Sequence, residues 1–135
     1  MRCHVECLIR WSRAGCSQQL SLISTIVSVQ KPYSPESRRT RFLKYWILCK
    51  LVEGQASGVL ASILLVDDNC LRRGGAPSLP KAYTDAIDGA AIGPAAGSCG
   101  TAAYRREQVI IEDIASEPLW ANYRDLALLH SFSCL

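Results

Sequence analysis

The stretch GPAAGSCGTAA, residues 93–103, places Cys99 between a Gly-Ser pair and a Gly-Thr pair. Three interpretations of this cysteine compete. Gly97 and Gly100 permit a tight turn, in which Cys99 is a small buried filler. In the second interpretation, Ser98, Cys99 and Thr101 open a helical turn whose N–H groups and hydroxyls bind an anionic or carbonyl group of a ligand. In the third, Cys99 is a reactive thiol.

Other side chains extend the ligand interpretation. Tyr104 and Trp120 follow in the sequence and would supply apolar walls to a pocket. The adjacent carboxylates Asp67-Asp68 and Glu112-Asp113 point to opposite faces if they lie on strands, so neither pair shares a proton or a metal ion by spacing alone. Of these four, Asp113 at the mouth of the pocket is the best candidate for a ligand contact.

Thiol or metal chemistry lacks partners in the sequence. Both histidines, His4 and His130, are distant from Cys99 along the chain, so no nearby base would activate it. Cys3, His4 and Cys7 have no matching second half with metal-ligand spacing, and a metal site is not expected. Seven cysteines are an odd number, which favours free thiols in a reducing cytoplasm over a disulfide framework.

The surrounding pattern predicts the elements that would position these groups. A helix begins at Arg41, with apolar residues at three and four residue spacing, and ends near Gly54 and Gly58. ASILLVDDNC and LRRGGAP predict a β-hairpin with an Asp-Asp-Asn turn. Downstream, the pattern predicts a helix capped by Ser78, a helical turn at SCGTAAYRRE, a strand at QVIIED and a helix capped by Ser116. This order predicts an α+β fold with an antiparallel sheet.

Charge divides the chain at residue 45. Residues 1–45 hold eight basic and two acidic residues, whereas residues 46–135 hold seven basic and ten acidic ones. Because QKPYSPESRRTR is rich in Pro, Ser and charge, residues 1–40 are predicted to be a linker-like or disordered segment, and residues 41–135 the domain. Arg38, Arg39 and Arg41 are interpreted as a solvated face, and no nucleic-acid partner is expected.

No membrane or export segment is expected. The uncharged run from Ala14 to Gln30 contains Ser and Gln and is shorter than the roughly 20 apolar residues of a spanning helix. The amino terminus scatters charges among its apolar residues and makes a poor signal peptide. A cytoplasmic protein is therefore expected.

Residues 61–130 resemble a GAF domain, the sensory module of bacterial signalling proteins. The resemblance rests on ASILLVDDN, followed by GAPSLPKAYTDAIDGAAIGPAAGSCGTAAYRREQVIIEDIASEPLWANYRDLAL, and LCKLVEGQASG fits the leading helix of the family. It implies a GAF/PAS-like antiparallel sheet flanked by helices, with a small-molecule pocket between one sheet face and the segment from Pro77 to Thr101. GAF ligands range from cyclic nucleotides to haem and small metabolites, so the cofactor or ligand is not specified.

Two departures from the family stand out. Where relatives continue with further strands, this chain ends in LLHSFSCL, so the domain is expected to be truncated at its C-terminus, with an open sheet edge. The free methionine sulfoxide reductases are GAF proteins with a related Gly-x-Cys-Gly loop. Gly89 and Tyr123 stand near the places of their other cysteines, and Cys134 is the later thiol.

The sequence thus predicts an incomplete, non-catalytic GAF sensory domain that binds a small molecule. Regulation is expected in trans on a signalling kinase or cyclase, or through a homodimer formed by the leading helix. One alternative is a thiol enzyme similar to free methionine sulfoxide reductase, and another is a fragment that acts only through protein contacts. The expected ligand-binding residues are Ser98, Cys99, Thr101, Tyr104, Asp113 and Trp120.

Overall fold

A computed structural model of the 135-residue chain describes residues 5–8, 11–12, 22–28, 38–55 and 59–130, with side chains for 39–55 and 60–130. In chain order its strands and helices are β1 (Val5–Leu8), β2 (Trp11–Ser12), β3 (Leu22–Ser28), α1 (Arg38–Glu53), β4 (Val59–Leu60), β5 (Ile63–Asp67), β6 (Cys70–Gly75), α2 (Lys81–Ile87), α3 (Gly97–Arg105), β7 (Val109–Ile111) and α4 (Arg124–Leu129). A 3-10 turn, Pro118–Trp120, precedes α4.

The hairpin of β5 and β6 forms where the sequence predicts it. Asp68 and Asn69 form the two-residue turn with φ of +50° and +60°. Asp and Asn adopt this left-handed backbone more readily than other non-glycine residues, and the twist of such a turn matches that of the flanking strands. The ladder closes at the pair Asp67 and Cys70.

The hairpin separates two apolar clusters because successive residues of β5 face opposite sides. Ile63 packs with Cys49 of α1 and Ala61, and Leu65 lies against the same cluster. Leu64 instead belongs to the larger cluster formed with α2, α3, β7 and Trp120. One face of the hairpin therefore carries α1, and the other carries the elements of the candidate site.

The strands of the first 40 residues pair with or contact strands that follow α1. β3 pairs antiparallel with both β1 and β7, with Leu22 opposite Ile111. β1 also contacts β5, and β2 pairs with β4. The predicted boundary at residue 40 stays a prediction. Within the described residues, however, β7 pairs with β3, a strand that precedes this boundary.

Three helical predictions need correction. The residue before α2 is Pro80, and the Ser78 hydroxyl does not cap that helix but bonds to Glu53. The segment expected as a helical turn is the nine-residue helix α3. The helix expected after Ser116 is divided into the 3-10 turn, which Glu117 precedes, and α4, because the backbone leaves helical geometry at Tyr123 (φ −122°).

The described elements confirm the α+β class, with helices packed on antiparallel strands. Helix α1 begins three residues earlier than predicted, and its apolar residues Leu43, Ile47 and Leu51 are exposed. Cys49 is the buried side chain of this helix. Across the described ranges, no helix combines the length and apolar character that crossing a bilayer requires.

Candidate functional site

The N-terminus of α3 is the centre of the candidate site. Helix α3 begins at Gly97, whose φ of +66° belongs to the left-handed region that favours glycine. Ala96 precedes it with φ −113°, and no side chain caps the helix. Residues 97–103 are all buried, so the uncapped first turn faces the protein interior. Such a turn presents backbone N–H groups and the positive end of the helix dipole.

A cavity of about 30 Å³ lies beside this turn. Its walls come from the hairpin, α2, the segment before α3, the first turn of α3 and the region of the 3-10 turn. The lining residues are Leu64, Leu71, Tyr83, Ile87, Ala90, Ala96, Gly97, Ser98, Cys99, Trp120 and Tyr123. A polar cavity of this size has room for a water molecule or a small polar group.

Ser98 gives this cavity an unsatisfied polar group. Its side chain is 1% exposed, and its Oγ has no hydrogen-bond partner among the described residues. The neighbouring hydroxyl differs, because Thr101 Oγ1 accepts a hydrogen bond of 3.1 Å from the Ala96 N–H. Thr101 therefore fixes the loop before α3, whereas the Ser98 hydroxyl is available to a group in the cavity. A buried polar atom without a partner is costly, so its presence calls for an explanation.

The rest of the lining is aromatic or aliphatic. Tyr83 and Trp120 are 2% and 3% exposed. Burial raises the pKa of Tyr83 well above its usual range, so its side chain stays neutral at physiological pH. The Tyr83 ring meets His130 edge to face, with ring centroids 6.1 Å apart. None of the described lining residues is a histidine, a carboxylate or a basic residue.

Cys99 lines the cavity, but its sulfur is part of a disulfide. The expectation of a free thiol is wrong at this position. Cys49 and Cys70 are the free cysteines with described side chains, so the disulfide partner lies outside the described side chains. Cys49 donates a weak hydrogen bond to the Gly75 carbonyl, over 3.6 Å. Cys99 therefore contributes a disulfide sulfur to the wall of the cavity.

The structure does not bring the remaining predicted residues to the cavity. Tyr104 is 57% exposed and lies outside the lining, as does Thr101. Asp113 caps its own loop: its Oδ1 accepts from the Ala115 N–H at 3.0 Å and its Oδ2 from Ser116 Oγ at 2.6 Å. These bonds, that of Ser116 first, lower the pKa of Asp113. A ligand role for these residues remains a prediction without support from the geometry.

Sequence reasoning did not assign Leu64, Leu71, Tyr83 and Ile87 to the site. The spacing of Tyr83 and Ile87 indicated one inward face of α2, which is the face that lines the cavity. Which cavity that face would meet depends on the packing of the hairpin. Among the described side chains, no group of three or more His, Cys, Asp or Glu residues is placed to hold a metal ion.

Comparison with known proteins gives one informative similarity. No family model matches the chain, and no solved structure matches it significantly. Among curated proteins, the methyl sulfide methyltransferase-associated sensor of Methanosarcina acetivorans is 32% identical over 83 residues, which is 60% of this chain and 8% of that protein. The chain thus spans less than a tenth of the length of this relative. A relative with the name of a sensor is consistent with a sensory domain.

Proposed function

We propose that this chain is a GAF-like sensory domain that binds a small molecule at the N-terminus of α3. The α+β architecture and the similarity to a protein named a sensor support this function. The observation that carries it is the Ser98 hydroxyl, buried in the wall of a cavity without a hydrogen-bond partner in the described part of the chain.

The arrangement favours a ligand with a compact hydrogen-bonding group. Ser98 Oγ can donate to an anionic or carbonyl oxygen, and the first turn of α3 favours negative charge at the same place. Because the cavity holds about 30 Å³, only that group fits without movement of the lining. A larger ligand body would displace Trp120 or α2. Binding would then favour a more open arrangement, as population shift requires.

The proposal is of a non-catalytic protein. In its support, the sulfur of Cys99 is bonded in a disulfide and does not serve as a nucleophile, and the described lining holds no histidine, carboxylate or lysine that would act as a general base. Ligand occupancy would act in trans on a signalling kinase or cyclase, or through a homodimer formed by α1. The exposed apolar residues of α1, Leu43, Ile47 and Leu51 among them, are in keeping with the second route.

Mass spectrometry of small molecules released from the purified chain would identify the ligand. The thermal stability of wild type and of Ser98→Ala is then measured with added ligand. We expect a midpoint that rises with ligand concentration in the wild type, and a loss of affinity of about tenfold in Ser98→Ala, which equals roughly one lost hydrogen bond.

Ser62→Ala is the matched control, because Ser62 Oγ is also buried without a partner among the described residues but lies outside the cavity lining. It should bind ligand like the wild type. Equal losses in both variants, or no stabilisation of the wild type by any molecule that copurifies with it, would contradict the proposal.

A further inference from the structure

A second and larger groove lies on the opposite side of the hairpin from the α3 cavity. Its volume is about 750 Å³, within the usual range of small-molecule sites. The first half of α1 forms one wall, and residues of both β5 and β6 form the other. The lining residues are Arg39, Arg41, Phe42, Tyr45, Leu65, Val66, Asp67, Arg72, Arg73, Gly74 and Asp88.

Four arginines from two separate elements line this groove, and three of them have no carboxylate partner in the described part of the chain. Arg73 is engaged with two carboxylates. Its guanidinium donates to Asp85 Oδ1 at 3.2 Å, and its backbone N–H donates to Asp88 Oδ1 at 2.9 Å. Arg39, Arg41 and Arg72 form no salt bridge with any residue that the structure describes. Unpaired like charges that share one concave surface repel each other, and they attract an anion.

The start of α1 adds to the positive potential. The helix begins at Arg38, and its first turn contains no acidic residue. The N-terminus of a helix already carries partial positive charge, so arginines there are unfavourable unless an anion is nearby. Arg39 and Arg41 lie in this first turn and line the groove.

Protection of a strand edge does not account for Arg72. Charged residues often stand on an open edge, where they prevent pairing with other chains. The start of β6 is already covered, since the Leu71 N–H donates to the Ala90 carbonyl at 2.7 Å and Cys70 forms a β-bridge with Ala91. The Arg72 side chain extends beside Gly89, at the border of the groove.

The remaining lining indicates the size and character of the anion. Phe42, 44% exposed, and Tyr45 place two aromatic rings beside the arginines, and such rings stack on planar groups. Asp67 and Asp88 also line the groove, so an extended polyanion such as a nucleic acid strand would meet negative charge. A compact ligand avoids this repulsion.

We propose that this groove binds a phosphorylated small molecule with an aromatic ring, of the nucleoside diphosphate class. Its phosphates contact Arg39, Arg41 and Arg72, and its ring lies against Phe42. Arginine suits this role, because its planar fork pairs with phosphate oxygens in bidentate geometry. This site is separate from the α3 cavity and does not depend on the function proposed for that cavity.

Isothermal titration calorimetry of the full chain with ADP, inorganic pyrophosphate and adenosine tests the proposal. We expect saturable binding of ADP and of pyrophosphate. Both should bind more weakly at 300 mM than at 50 mM NaCl, because salt screens contacts between arginine and phosphate. Adenosine should bind little, because it has no phosphate. Arg41→Gln and Arg72→Gln should each weaken binding of ADP and of pyrophosphate about tenfold, whereas Phe42→Ala should weaken ADP alone.

Arg105→Gln is the control, since Arg105 is an exposed arginine at the end of α3 and outside the groove. Circular dichroism of each variant checks that the fold is retained. If Ser98→Ala abolishes the binding of ADP and Arg72→Gln leaves it intact, ADP binds in the α3 cavity and the proposal is overturned. Absence of saturable binding of ADP and pyrophosphate, or binding of an acidic hexapeptide in their place, would overturn it as well.

Discussion

The carboxylate of Glu53 accepts a hydrogen bond from the Ser78 hydroxyl, with 2.7 Å between Oε2 and Oγ. The same carboxylate accepts from the Ala61 N–H at 3.0 Å and from Lys50 Nζ at 3.2 Å. The Glu53 side chain is 9% exposed. One nearly buried acid thus ties the end of α1 to the segment before β5 and to the loop that leads to α2, whose inward face lines the α3 cavity.

Replacement of Glu53 by alanine should destabilise the fold. The Ala61 N–H would lose its acceptor beside a buried cluster, and hydrogen bonds to a charged group contribute roughly 1.5–3 kcal/mol. We expect the free energy of unfolding, measured by urea titration, to fall by about 2–3 kcal/mol. Glu107→Ala, at an exposed position after α3, should change it little. Similar effects of the two substitutions would contradict the role of Glu53.

Gly75→Ala should disrupt the contact between β6 and α1. A Cβ at Gly75 would lie 2.9 Å from the Trp46 nitrogen and 2.9 Å from the Tyr45 carbonyl carbon, both of which are backbone atoms that cannot move alone. Overpacking of this kind costs about 1–3 kcal/mol, which chemical denaturation would measure. Gly93→Ala is the control, because nothing lies within 4 Å of its Cβ position, and this variant should be as stable as the wild type.

Gly97→Ala should be destabilising for a different reason. Its Cβ would meet no atom closer than Trp120 at 3.8 Å, so space is sufficient. The backbone φ of +66° is nevertheless strained for alanine, and this costs roughly 1–2 kcal/mol. Thermal unfolding should show a lower midpoint, with the near-ultraviolet circular dichroism of the folded aromatic side chains retained below the transition. Unchanged stability would mean that the first turn of α3 has a different backbone conformation.

The loop held by Asp113 should make stability depend on pH. The hydrogen bonds from Ser116 and from Ala115 lower the pKa of Asp113 in the folded state. The stabilisation is therefore fully present above the usual aspartate pKa and is lost as the pH falls through the lower, folded-state pKa. Urea titrations of wild type and Asp113→Asn should differ at pH 7 and converge at the acidic end of the range. A difference that persists unchanged in acid would contradict this assignment.

Local signals predicted the hairpin correctly and the helices only in part. The turn at Asp68 and Asn69 depends on residues adjacent in sequence, so its position could be predicted without knowledge of the rest of the chain. The buried face of α1 could not. The periodicity of Leu43, Ile47 and Leu51 indicated an apolar face, yet the hairpin packs on the side of Cys49. Which side of a helix is covered depends on the partner and not on the helix alone.

Only part of the candidate site could be predicted, because some of its residues are neighbours in the sequence and others meet only through packing. Ser98 and Cys99 lie together because they are neighbours at the start of one helix. Tyr104 is also on α3, but it lies near the other end of the helix and faces solvent. Tyr83 reaches the cavity only because α2 packs across the hairpin, and this relationship between distant segments has no local signature in the sequence.

The pairing of β3 with β7 joins residues 22–24 to residues 109–111, so most of the chain must be synthesised before this ladder can close. Contacts between such distant segments carry a large loop-closure entropy and slow the folding of a domain. A shortened chain that starts at α1 would leave Val109–Ile111 without β3 as its neighbour. Expression of that shortened chain would then carry a risk of aggregation through the exposed backbone of β7.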